Sequence, residues 1–573
     1  MYKHIFYLLL LSFMLISNAS YSQMLTKGHK PDPLFAKYCL KYENYYDGLH
    51  EFKALLKEKP NNDYYRWGVG YCILHLNKNK SEAIPYFLEV LSKDNADLKY
   101  YYDLGEAYML TCQFDKAIDA FNRYILNINE DKHDITARRM LEMIENAKKA
   151  IENPINVEFV NLGTRINTEY PDFNPLINST EKYLVYTKQT PTNIGRYRHE
   201  DGYYAGDIYY SNFKFGKWKN NKRFSSIINT KNIEIGQTMS SNAASLIVFK
   251  EDIEKHTRNY LIYKKRGRYY GFPQEIKIDG FDIANAHFIT ISPNNKYIVF
   301  SAINKDVDKH NLDLYFSKLS PDGFWMIPQL LDSNLNTIYD ESYPYFSPDM
   351  RRFYFASKGH NSMGGYDIFE CSVNLDSLTF GVPKNIGYPV NTTMNDKMIT
   401  FNNSGRYAYK ACLRDEGLGD LDIYRIIFKD RKPLLSYIHG YIFNQDSVKF
   451  TNVIQAMNQH IDTLNFPVNR EYKRILLKER DSIKAVEYLA KNKIPYEKLD
   501  VKITALDSKS NKEVGKFIVK EKTASYAIIL PPGEYKLIFS RKNFQDKYYT
   551  KFVVEDFDLR NRDIEMQVLL KQK

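Results

Sequence analysis

One short pattern recurs five times between about residues 172 and 428, and a chain that repeats itself at such intervals has few folds open to it. The pattern is an apolar or aromatic run: Tyr183-Leu-Val-Tyr186, Leu246-Ile-Val-Phe249, Tyr297-Ile-Val-Phe300, Phe353-Tyr-Phe-Ala356 and Tyr407-Ala-Tyr-Lys410. Successive copies start 63, 51, 56 and 54 residues apart. Turn residues precede the clearest copies, as in Ser292-Pro-Asn-Asn-Lys296 and Ser347-Pro-Asp349, where proline presets the first turn position and Asn or Asp tolerates the second. A second run follows each, opening on Asp207, Asp313, Asp367 or Asp422; the second copy has Tyr260-Leu-Ile-Tyr263 without the acid. Several short aromatic strands per unit, stacked radially so that their faces are hidden, predict a five-bladed β-propeller, with a sixth blade left open. An early strand at Val157 to Val160 would complete the last blade and remove its exposed edge.

Upstream, Ala83, Phe87 and Val90 recur 34 residues later as Ala117, Phe121 and Tyr124, and Trp67 and Gly70 are echoed by Tyr101 and Leu104. A weaker first copy carries Phe52 and Leu55, and His133 to Glu152 reads as a closing amphipathic helix. Asn153-Pro154 ends the helical region, since proline cannot continue a helix. Downstream of Asp430-Arg-Lys-Pro433, alternating segments at Ser436 to Phe443, Val501 to Leu506, Gly515 to Val519 and Ser525 to Phe539 predict a small β-sandwich. It is interrupted by an insertion at 445–499, in which 469–492 has helical spacing and either covers the sandwich or meets a partner.

The first 22 residues read as an export address: Lys3, an apolar run from Ile5 to Ile16 too short to span a bilayer, and small residues before Gln23. No cysteine stands at that point to carry a lipid, and no later stretch is long and apolar enough for a membrane span. Lys and Arg exceed Asp and Glu by 80 to 69, giving a formal charge of +11, yet no dense basic block appears, so nucleic acid is not the expected partner. Cys39, Cys72, Cys112, Cys371 and Cys412 form no paired motif, which predicts small buried thiols rather than a zinc knuckle or disulfide framework.

A catalytic set does not surface at informative spacing. The Gly-x-Ser-x-Gly elbow and the His-Glu-x-x-His motif are both absent from the sequence, and His199-Glu200 has no ligand behind it. Ser320-Pro-Asp-Gly-Phe-Trp325 reads as a turn that seats its tryptophan. Asp415, Glu416, Asp420 and Asp422 could gather around calcium, although Asp422 holds the recurrent pre-strand position, where an aspartate orders a turn. The chain is therefore expected to be no enzyme, with no catalytic, cofactor or metal residue assigned and no cofactor.

Ser-Pro-Asp before a strand, the loop Gly359 to Gly365 and Tyr366-Asp367-Ile368 resemble the repeat of TolB-type (PD40, WD40-like) periplasmic propellers. The 34-residue step resembles tetratricopeptide repeats, and the C-terminal Pro-Pro-Gly hairpin resembles the transthyretin-like carboxypeptidase regulatory-like domain. In this order, signal peptide 1–22, repeats 33–152, propeller 155–430 and sandwich 436–573 resemble a Bacteroidota envelope family of type IX secretion and gliding motility. The resemblance implies a non-catalytic periplasmic adaptor, peripheral to the outer membrane, that binds protein partners of a secretion or motility machine. The family's OmpA-like peptidoglycan-binding domain has no counterpart before Lys573, so that role is not expected. The alternative is a propeller that binds or hydrolyses envelope glycans or peptides.

Overall fold

The computed structural model describes residues 30–443, 491–492, 500–554 and 563–573, save 78, 94–95, 129, 134, 215–216, 268, 305–310, 432–434, 521–523 and 532. The export address at 1–22 and nearly all of the 445–499 insertion, with its 469–492 helix, lie outside the described residues. The chain divides after Arg431 into two compact units.

The first unit begins with helices α1 (Pro33–Lys41), α2 (Tyr45–Glu58), α3 (Asp63–His75), α4 (Ile84–Leu91), α5 (Tyr100–Leu110), α6 (Phe114–Asn127) and α7 (Ala137–Glu152). Four of the starts are set by side chains that accept otherwise orphaned N–H groups: Asp32 from Leu34, Asn44 from Asp47, Asn62 from Tyr65 and Thr136 from Arg139. Neighbouring helices pack closely because glycines face aromatic rings. A Cβ on Gly68 would lie 2.5 Å from the Phe52 ring, and one on Gly105 would lie 2.8 Å from Phe121. Phe87 and Phe121, one 34-residue step apart, are both fully buried.

Residues 157–428 form five antiparallel sheets. The inner strands are Asp172–Ile177, Ile233–Met239, Ala286–Ile291, Glu341–Phe346 and Thr400–Phe401. Each pairs with a second strand, and that with a third beginning at Asp207, Thr257, Leu312, Asp367 or Asp422. These are five blades, and the sixth left open by the repeat does not exist among the described residues. In the last blade the fourth strand comes from the start of the propeller: Val157–Asn161 pairs antiparallel with Asp422–Phe428, in register from Val157 opposite Phe428 to Asn161 opposite Tyr424. Blades five and one are further joined by the buried Glu181 carboxylate, which accepts from Arg425 Nε at 3.0 Å, Tyr409 Oη at 3.1 Å and Asn402 Nδ2 at 3.1 Å.

A repeated device fixes the ends of the strands at one face. Asn167, Asn229, Asn336 and Asn391 each accept the N–H, and donate to the carbonyl, of one third-strand residue: Ile423, Ile208, Leu314 and Ile368 respectively. The threonine that follows each asparagine gives its N–H and hydroxyl to an acid at the inner strand's start, Asp172, Glu234 or Glu341, or to Asp396 just ahead of it in the last blade. In blade three the asparagine has no counterpart, and Ala286 stands in register where blades one, two and four place an acid against the second strand.

The second unit departs from expectation. A two-sheet sandwich with a helical insertion is not what the described strands form: seven lie on one continuous pairing path and an eighth pairs beside it, in one sheet. The physical reason is the strand Glu513–Lys520, whose first part pairs with Lys502–Asp507 and whose last two residues pair with Ser525–Leu530. It joins into one path the groups that would otherwise be separate sheets. Ser436–Phe443 extends the path and takes Asp563–Glu565 and Val568–Leu569 in parallel. Ile438, Ile503, Ile528, Leu537 and Phe539 form its core.

Removing one side of a buried ion pair strands the other charge. Glu181→Ala is therefore expected to lower the stability of the first unit by about 3–5 kcal/mol, read as an earlier urea midpoint. Glu158→Ala, which breaks an exposed pair with Lys429, should cost less than about 1 kcal/mol.

Candidate functional site

The helices lie across the propeller face that carries the loops between second and third strands. Arg198 of blade one reaches Asp47 of α2 at 2.7 Å, its guanidinium 4.4 Å from the Tyr46 ring centroid. Asn77 donates to Asp420 of blade five at 2.7 Å. Arg139 of α7 donates to the carbonyls of Lys358 and His360 and to Ser362 Oγ in blade four, at 3.0–3.1 Å.

Between these struts lies a cavity of about 530 Å³. Its helical wall carries Glu43, Tyr45, Tyr71, His75, Lys80, Tyr102, Asp103 and Glu106; Asp396, Lys410 and Cys412 belong to its propeller floor. Tyr45 and Tyr71 meet edge to face at 6.0 Å, and both pack on the His75 ring, at 4.8 and 4.3 Å. Tyr102 stacks on His133 at 3.5 Å.

The electrostatics of the wall are unusual. Asp103 and Glu106 stand one turn apart on α5, so they share a face of the helix. Burial pushes the Asp103 carboxyl up to about 6, against the opposing hydrogen bond from Trp67 Nε1 at 2.7 Å. Burial, helped by the Asp103 charge, pushes Glu106 up to about 7. Glu106 makes no hydrogen bond or ion pair among the described residues. Burial also depresses the cations: Lys80, donating to the carbonyls of Leu74 and Leu76, falls to about 8, and His75 to about 4, so the imidazole is neutral at physiological pH. In the floor, Lys410 is buried and paired with Asp396. Burial lifts the Cys412 thiol to about 11, so it stays protonated and is no thiolate nucleophile.

The residues singled out from sequence take other places. Asp207, Asp367 and Asp422 accept backbone N–H groups of Ile194, of Met363 and Gly364, and of Leu418, ordering the loops before their strands. Asp313 is held instead by Asn304 and Asn311. Asp420 faces the helices, accepting from Asn77 and Tyr203, while Glu416 pairs with Arg414. No group of three or more potential metal ligands occurs among the described residues. Trp325 bridges Ile278 and Leu319 from the Ser320 turn. Cys39, Cys72 and Cys371 are buried, whereas Cys112 is exposed in the turn after α5 rather than on a helix. No helix among the described residues is long and apolar enough to cross a membrane.

Helical periodicity in the apolar positions alone does not single out Asp103 and Glu106. Two acids at i and i+3 within Tyr-Tyr-Tyr-Asp-Leu-Gly-Glu-Ala-Tyr, which is otherwise apolar and aromatic, were the available signal. Lys410 had one too: it ends the fifth copy of a run that elsewhere ends in Tyr186, Phe249, Phe300 or Ala356.

No family model and no curated protein matches the chain. Among solved structures, it is similar to the β-propeller domain of the Trilobed protease from Pyrococcus furiosus, at 7% identity and TM-score 0.23, covering 46% of this chain and 70% of that one. It is similar to RS223-β-xylosidase at 12% identity and TM-score 0.31, covering 51% and 97%. It is also similar to the β-1,2-mannobiose phosphorylase from Listeria innocua, at 9% identity and TM-score 0.34, covering 48% and 96%. The five-bladed propeller rests on the chain's own strand pairing. The expectation that the chain is no enzyme is withdrawn: similar propellers include enzymes, although at 9–12% identity and TM-scores of 0.24–0.34 the likeness shows the propeller fold alone and assigns this chain no activity. Motif spacing also gives no weight to Asp103 and Glu106, two carboxyls on one helix that line the same cavity.

A carboxyl whose folded pKa is raised favours folding most at low pH, and loses that contribution as pH rises through the folded value. For Glu106 the window runs from about 4.3, the ordinary value, up to about 7. Glu106→Gln is expected to leave stability at pH 4 nearly unchanged and to raise it at pH 8 by about 1–3 kcal/mol. Thermal melting across this range measures the difference; parallel curves would show that Glu106 ionises freely.

Proposed function

We propose that the cavity between helices and propeller binds a segment of an envelope glycan and hydrolyses a glycosidic bond, in a protein exported by its first 22 residues. The observation that carries this reading is the pair Asp103 and Glu106: two carboxyls one turn apart, raised to different pKa values, in an aromatic-lined cavity of about 530 Å³. Sugar rings present C–H faces that pack on aromatic side chains, and Tyr45, Tyr71 and Tyr102 offer such surfaces. Glycoside hydrolysis needs one carboxyl protonated and one ionised. At pH between about 6 and 7 the environment supplies that division, with Glu106 holding the proton and Asp103 the charge.

In this mechanism Glu106 gives its proton to the leaving oxygen as the bond to the anomeric carbon breaks. Asp103, oriented by the Trp67 N–H, stabilises the positive charge that develops on the ring; water then bonds to the anomeric carbon and its proton returns to the Glu106 carboxylate. A peptide substrate is less well served, since the cavity's cysteine is a neutral thiol. Secretion or motility components of the outer membrane, which the family resemblance implies as partners, are proposed as the setting in which the protein works.

The test is a reducing-sugar assay of the full chain against a panel of envelope-type oligosaccharides. Glu106→Gln should lower kcat by about 10²–10⁴-fold, with binding retained, and activity should peak near pH 6–7. Turnover of none of the panel, or full activity in Glu106→Gln, would refute the hydrolytic reading.

A further inference from the structure

The cavity's helical wall has a second feature that proton transfer does not use. Glu43 lines the cavity from the turn before α2, with its backbone in the left-handed region at φ 56° and its side chain exposed. Its carboxylate makes no hydrogen bond or ion pair among the described residues. The rings of Tyr45 and Tyr71 line the same cavity; burial raises both phenols most, with smaller contributions from Tyr71 and Glu43 at Tyr45, and from Asp103, Glu106, Cys72 and last Glu43 at Tyr71. Neither phenol oxygen has a hydrogen-bond partner among the described residues.

Every group facing this corner bears on its charge. His75, packed on both tyrosines, is neutral at physiological pH. Lys80 is directed at the carbonyls of Leu74 and Leu76, and Lys410 at Asp396. Deeper in, Asp103 is more than nine-tenths buried, with Oδ2 taking the Trp67 N–H and Oδ1 taking nothing among the described residues. Of the other basic groups that line the cavity, Lys358 is paired with Asp340, Arg414 with Glu416 and His133 with Asp131, so the wall is acidic and aromatic with its cations committed.

An ammonium group is drawn to the face of an aromatic ring and to an unpaired carboxylate at once, whereas a neutral amide gains from neither charge. We propose that Glu43, Tyr45 and Tyr71 form a subsite for a free amino group, so that the glycan taken by this cavity is rich in non-acetylated amino sugar. The subsite rests on the glycan reading above and shares the cavity wall with Asp103 and Glu106, but its own carboxylate is Glu43, so it is testable separately.

The experiment is isothermal titration of the full chain at pH 6.5 with two probes: the glucosamine hexamer and the N-acetylglucosamine hexamer. The amino form should bind about five- to tenfold tighter, and added salt should shrink the preference. Glu43→Gln should erase the preference and leave affinity for the acetylated form and the stability of the fold unchanged. Tyr71→Leu should weaken both probes, and Tyr71→Phe neither. Equal binding of the two hexamers, or a preference that survives Glu43→Gln, overturns the amino subsite while the glycan reading stands. Failure of both hexamers to bind overturns the subsite and removes support from the glycan reading together.

Discussion

A blade whose outer strand is missing leaves a row of unpaired N–H and C=O groups, and the placement of everything else in the first unit follows from how that edge is filled. Val157–Asn161 supplies the missing strand against Asp422–Phe428, only five residues after α7 ends at Glu152. Closing the ring therefore ties the last helix to the rim of blade five. Asn161 strengthens the tie by donating to Asp422, the same carboxylate that orders the preceding loop. With α7 fixed there, the helices fall across the propeller face, and Arg139, Asn77 and Arg198 meet their loops.

The cavity follows from that superposition. A row of helices and a propeller face are complementary at the struts but not between them, and the gap is lined by whatever each surface presents. The propeller presents the ends of its inner strands, where the Thr-to-acid clasps place carboxylates such as Asp396 and where Lys410 answers one of them. The helices present aromatics and acids. Covering these groups removes them from water, which is why carboxyls rise and cations fall in pKa at one place. Displaced pKa values of this kind arise where two surfaces together exclude water from titratable groups.

Much of the fold was legible because its signals are local and repeated. Turn residues before apolar runs marked the second strands, and the recurrent aspartates marked the third. The 34-residue step marked helices whose Phe87 and Phe121 are fully buried. The C-terminal unit was read less well, because alternation shows that a segment is a strand but not which neighbours it takes. Glu513–Lys520 joins two groups of strands, a choice that depends on how far it extends in register. The Asn-Thr-x-x-x-Asp/Glu signature of four blades is present in the sequence, but polar residues between strands carry no period that marks them as structural.

The sequence by itself determined the five blades, the closing strand at Val157 and the helical region ahead of them, since hydrophobic period and turn chemistry act over a few residues. It did not determine the site. Asp103 and Asp396 are nearly 300 residues apart, and only the laying of helices on the propeller puts them around one volume. Nor could residue identity alone reveal that Glu106 holds its proton near neutrality, for that depends on the water its neighbours exclude. Chemistry that arises from desolvation belongs to the tertiary structure, because burial is a property of the assembled surfaces.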